Sequence, residues 1–202
     1  MKLYYSPGAC SLSPHIILRE IGSTFELERV DGATKTTEGG EDFRLVNPKG
    51  YVPALRLDDG EVLTEGAAIV QYIADTNGTS ELAPPVGTIG RARLQEHLNF
   101  VASELHKAFS PLFHADASEE AKAAAPANVA RRFDHIEHIL SDGRPYLLGE
   151  TFTVADAYLF VVSSWAGPTG IGLDRWPSLT AFVERVRGRP AVKAAMAAEG
   201  LI

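Results

Sequence analysis

A single cysteine, Cys10, leaves no partner for a disulfide within the 202-residue chain, which fits a reducing compartment. A basic surplus is missing as well. The formal net charge is −7, so neither half supplies the cationic excess that a phosphate backbone requires, and nucleic acid is not an expected partner. The longest apolar run, near Ala157–Gly167, is far short of the ~20 residues that span a bilayer, and the N-terminus has no apolar signal core. No membrane association is expected, and a soluble cytoplasmic protein is. Nor is there an internal repeat, or a low-complexity tract beyond the Ala-rich stretch 121–130. His15, His97, His114, His135 and His138 lack the spacing of a metal site, and no bound metal is expected.

What is present is an ordinary globular composition, 45% hydrophobic and 22% charged, in two regions of different period. Lys2–Tyr5 and Phe25–Val30 read as strands around a helix at Ser11–Ile21, with Gly22 as its stop, so the two strands are expected to be parallel neighbours. A polar Gly-rich stretch, a short helix near Asp42–Val46 and a turn at Asn47–Gly50 follow. Pro53–Leu57 and Glu61–Leu63 flank Asp58-Asp59-Gly60, a hairpin signal. A helix from Thr64 to about Asp75 closes the region, with Ile69, Val70, Tyr72 and Ile73 expected to pack inward. Residues 76–87 read as a linker. Beyond them Leu94, Leu98, Val101 and Leu105 mark an amphipathic helix, and further helices are expected at Glu119–Leu140, Val154–Trp165, Pro177–Val186 and Pro190–Glu199. The fold class is therefore α/β plus all-α.

Several residues could carry chemistry. Cys10 lies where the first strand turns into the first helix, and unpaired N–H groups there favour thiolate over thiol. A small buried packing residue is the other reading, and position alone does not separate them. Pro53 opens a strand and by base rate is trans. Glu65-Gly66 begins a helix: either Glu65 is a favourable dipole partner, or the pair receives a ligand's ammonium and carboxylate. Asn99, Ser103 and His106 fall at i, i+4 and i+7, a polar stripe in which His106 could act as acid, base or hydrogen-bond donor. Thr153 and Asp156 have capping-box spacing and are assigned to stability, with Asp156→Ala expected to cost about 1 kcal/mol or more.

These features together resemble the glutathione transferases. The strand–helix order with Cys10 at the first helix and Val52-Pro53 before the third strand looks like the thioredoxin fold, and a helical domain follows it. Met1–Pro14, Asn47–Pro53, Thr64-Glu65-Gly66, Ser103–His106, Ser110–Phe113, Tyr146–Gly149 and Trp176–Leu179 are similar to the bacterial beta class. The resemblance implies a thioredoxin-like, glutathione-binding domain over 1–80. It implies an all-helical domain over 87–202 that completes the electrophile site, and a homodimer. It implies further that Val52 holds the glutathione cysteine through its backbone, with Pro53 cis. Glu65 and Gly66 would take the γ-glutamyl group and Lys35 the glycine end. Cys10, Asn99, Ser103, Glu104 and His106 would surround the sulfur and neighbouring groups. Cys10 and His106 are the expected functional pair, with Tyr5 and Ser11 as competing hydroxyls. The implied activity is conjugation of glutathione, a co-substrate rather than a cofactor, to small electrophiles, with thiol–disulfide exchange through Cys10. A glutathione-dependent reductase and a non-catalytic transferase-like module are the alternatives.

Overall fold

The computed structural model describes residues 1–78 and 81–202. They form two compact units, one comprising Met1–Ala83 with Gly188–Ile202 and the other Pro84–Arg187. The division falls in the expected linker, of which residues 79 and 80, including the expected boundary at 80, lie outside the described residues. Leu82 and Ala83 are buried rather than solvated. At the other end, 188–202 groups with the first unit, whereas helical periodicity alone had attached it to the helical region.

In the first unit β1 (Lys2–Tyr5), α1 (Leu12–Glu20) and β2 (Glu26–Arg29) form the expected parallel crossover. β3 (Ala54–Arg56) and β4 (Val62–Thr64) make the antiparallel hairpin, and β3 also pairs antiparallel with β1, giving sheet order β2-β1-β3-β4. The short helix is a 3₁₀ turn at Phe43–Leu45, capped by the Asp42 carboxylate. Alternation along β1 serves two cores. Tyr4 packs on Phe43, with Val30, Val46 and Ala54 around them, whereas Tyr5 turns to His15 of α1.

Helix α2 (Gly66–Thr76) buries Ile69, Val70, Ile73 and Ala74, but Tyr72 is exposed, contrary to the sequence reading. At about 100° per residue the four buried positions span one arc, and position 72 falls outside it. Helix α1 packs against both α2 and the C-terminal α8 (Pro190–Ala198). Glu199, just after α8, is buried: its carboxylate accepts from the Gly8 N–H at 3.0 Å and meets His15 Nδ1 at 2.8 Å. Arg189 adds a two-pronged pair to Glu20 at 2.6 and 2.9 Å.

The second unit holds α3 (Ile89–Phe100), which runs through a π-helical turn at Val101–Leu105 into α4 (His106–Phe113). It continues with α5 (Glu119–Leu140), α6 (Val154–Ser164) and α7 (Pro177–Arg187). The expected stripe of Leu94, Leu98, Val101 and Leu105 is buried. The α7 N-terminus is held by a carboxylate from α5: Glu137 accepts from the Ser178 and Leu179 N–H groups at 3.0 and 2.9 Å.

Candidate functional site

Strand β1 ends at Tyr5, and the turn Ser6–Ala9 delivers Cys10 directly before Ser11, the residue at the α1 N-cap. The turn is tied down locally. Ser6 N donates to Ser11 Oγ and Ser11 Oγ to Ser6 O, both at 3.2 Å, so the Ser11 hydroxyl is buried within the turn. Tyr5 is buried too, and burial, with the Glu199 carboxylate secondary, pushes its phenol up, away from easy ionisation. Both competing hydroxyls are thus buried, and that of Ser11 is engaged within the turn. Cys10 itself is only partly buried, and its Sγ reaches the Val52 carbonyl at 3.5 Å. The Val52-Pro53 peptide is cis, as the resemblance implies and against the base rate. Cys10 and Val52, forty-two positions apart, thus meet at one spot in the first unit.

Two other residues singled out in this unit share an unusual backbone. Among the described residues the non-glycine positions with positive φ are Lys35, at 60°, and Glu65, at 69°. This region costs an L-residue roughly 1–2 kcal/mol, and such strain gathers at ligand sites. Glu65 sits at the α2 N-cap without capping it. Its carboxylate turns instead to the Lys49 ammonium and to the Tyr51 hydroxyl, 3.0 Å away. Glu65 thus joins a polar cluster at the start of α2, where its own carbonyl accepts from the Ala68 and Ile69 N–H groups, both at 3.0 Å. Lys49 and Tyr51 were missed from sequence, although both flank the Val52-Pro53 motif.

In the second unit the helical spacing does not hold as read. Asn99 and Ser103 are exposed, the latter donating to the Asn99 carbonyl at 2.8 Å, and Glu104 is exposed and paired with Arg132 at 2.9 Å. The π turn at 101–105 carries one residue more per turn than an α-helix, so His106 rotates roughly a quarter-turn off their stripe. It packs edge-on against Trp165, with centroids 4.8 Å apart, and its Nδ1 lies 2.9 Å from the Tyr158 hydroxyl. Burial, with Lys107 secondary, drives its pKa down to about 4, leaving a neutral imidazole at pH 7.

The capping box at the α6 N-terminus forms. Asp156 is fully buried and accepts from Thr153 N–H and hydroxyl, at 2.8 and 2.7 Å, and from Leu147 N–H at 2.8 Å. Burial pushes its pKa up to about 6, opposed by these donors. A cavity of about 630 Å³ lined by His97, His135 and His138 contains none of the residues assigned from sequence to glutathione or to catalysis. Among the described residues no group of three or more His, Cys, Asp or Glu side chains could hold a metal ion.

A mixed sheet with its thiol before α1 and a cis-proline at the start of β3 defines a thioredoxin-like unit, here joined to an all-helical one. Residues 8–76 match the glutathione S-transferase N-terminal domain and residues 100–190 the C-terminal domain. Glutathione S-transferase GstA of Escherichia coli O157:H7 is 47% identical, over all of both chains. A sphingomonad glutathione S-transferase solved in complex with glutathione is 51% identical with TM-score 0.95, again over all of both chains. The bacterial beta class glutathione S-transferase of Sphingomonas chungbukensis is 50% identical with TM-score 0.96 at the same coverage. The chain belongs to the glutathione S-transferase family, in its bacterial beta class.

Proposed function

We propose that this glutathione transferase ionises the thiol of bound glutathione and delivers it to small electrophiles, and that Cys10 also exchanges with glutathione disulfides. The observation that carries the reading is the meeting of Cys10 Sγ with the Val52 carbonyl beside the cis-proline, in a unit whose left-handed non-glycine residues are Lys35 and Glu65. The Val52 backbone, just ahead of β3, suits hydrogen bonds to the central residue of the tripeptide. The Glu65 cluster and the α2 N-terminus suit its γ-glutamyl ammonium and carboxylate, and Lys35 suits its terminal carboxylate. The solved sphingomonad relative holds glutathione, which supports this assignment.

The chemical task is to make a thiolate. A free thiol of pKa ~8.5 is only a few per cent ionised at pH 7, and each unit of depression is worth about 1.4 kcal/mol. In conjugation the sulfur of the ionised thiol forms a bond to an electrophilic carbon, and the leaving group departs with the electron pair. In exchange, the Cys10 thiolate attacks oxidised glutathione, the S–S bond breaks, a mixed disulfide forms and one glutathione thiolate leaves. His106 serves conjugation as a neutral hydrogen-bond donor to developing negative charge. Asn99, Ser103 and Glu104 stand exposed on the same long helix as secondary polar contacts. A cytoplasmic homodimer is part of the proposal.

Titration calorimetry with glutathione should show binding in the micromolar-to-millimolar range. Absence of binding at millimolar concentration would favour the non-catalytic module. Mass spectrometry after incubation with oxidised glutathione should show one adduct, lost in Cys10→Ala. Conjugation of a chloronitrobenzene by the same variant then assigns Cys10. A large loss of kcat makes Cys10 part of conjugation, and undiminished turnover confines it to exchange.

A further inference from the structure

We infer that Tyr158 is a positioning residue that fixes His106 as the tautomer with its proton on Nε2, so that the imidazole can give a hydrogen bond at Nε2 but cannot take a proton there. The inference rests on the proposed use of His106 in the reaction. Tyr158 lies in α6 within the unbroken buried run from Val154 to Ser163, so its ring has little freedom. Its hydroxyl is 2.9 Å from His106 Nδ1, and the two rings stand nearly perpendicular, at 87°, with centroids 6.2 Å apart. Trp165 meets the same imidazole edge-on at 74°. The ring plane is therefore pinned from two sides, and the π turn is what brings it there.

Two arrangements could fill this contact. Either the phenol donates to Nδ1 and the imidazole proton sits on Nε2, or Nδ1–H donates to the phenol oxygen. A phenol with pKa near ~10 is a far stronger acid than a neutral imidazole, and an imidazole lone pair is far more basic than a phenol oxygen. The stronger donor therefore pairs with the stronger acceptor, and Tyr158 donates. Among the described residues Nε2 has no hydrogen-bond partner, so its N–H stays available to a ligand. A base at this position would need the opposite tautomer, which the tyrosine disfavours.

The test is nitrogen NMR of the histidine-labelled enzyme at pH 7.5, with His106 assigned by comparison with His106→Gln. Wild type should show a bare Nδ1 and a protonated Nε2, and Tyr158→Phe should show a mixture of tautomers. In conjugation assays Tyr158→Phe should lose about tenfold in kcat, the worth of one hydrogen bond, with the KM for glutathione unchanged. In a His106→Gln background the same substitution should do nothing further. A proton on Nδ1 in the wild-type spectrum overturns the inference, as does an equal loss of kcat in both backgrounds, which would mark a merely structural tyrosine. If Tyr158→Phe does not fold, the wild-type spectrum alone decides. Full activity in His106→Gln would instead overturn the proposed use of His106, while the spectrum still tests the tautomer by itself.

Discussion

At the scale of single residues, environment rather than residue type decides the chemistry. His106 is held neutral because burial lowers its pKa to about 4. In the unfolded chain the same side chain takes up a proton near pH 6.5. Between these values the unfolded state binds more protons, so stability falls as pH drops from about 6.5 to about 4. His106→Gln should remove that part of the acid sensitivity, read from urea midpoints across the interval. The rate profile should likewise lack a break near 6.5 from this group. Lys35 offers a second test. Lys35→Gly relieves its left-handed backbone and should leave the thermal midpoint unchanged or raised, while glutathione binds more weakly by calorimetry. Unchanged affinity would remove Lys35 from the site. Residue identity made Cys10, Glu65 and His106 stand out in the sequence. It could not reveal φ at Lys35 and Glu65, since neither residue type favours that region, nor Tyr158, which lies 52 positions from the histidine it touches.

At the scale of secondary-structure elements, the hydrophobic period placed the strands and most helices to within a residue or two. Where it misled, the departure from ideal geometry is identifiable. A reading at 100° per residue has no means of sensing a π turn, so Asn99, Ser103 and His106 were put on one stripe that Val101–Leu105 in fact breaks. The capping box at α6 was legible because Thr153 and Asp156 have local spacing. Its third hydrogen bond, to Leu147 N–H, depends on a loop that folds back and was not. That bond raises the stakes of the cap. Asp156→Ala strands the buried donors of Leu147 and Thr153 and should cost at least about 2 kcal/mol in urea melts. Because burial lifts the carboxyl to about 6, above its unfolded value, its stabilising effect is fullest below about pH 4 and declines as pH rises through 6. The deficit of Asp156→Asn should accordingly be larger at pH 4 than at pH 7.

At the scale of the whole molecule, the two-region organisation was readable from the switch of period, and the family resemblance from motifs spread along the chain. The allegiance of the last helix was not, because an amphipathic face does not name what it will pack against. Gly188–Ile202 belongs with the sheet, secured by Glu199 on His15 and Gly8 and by Arg189 on Glu20. Glu199→Ala removes the buried carboxylate that meets the Gly8 N–H and His15 Nδ1. It should destabilise the protein by about 2–3 kcal/mol in urea melts, and a smaller loss would mean that solvent replaces the carboxylate. The same arrangement makes the helical unit an insertion between two parts of the other. A ribosome that has released the first eighty-odd residues has therefore not yet supplied the final piece of their fold, and Pro84–Arg187 must emerge before the earliest-made unit can close.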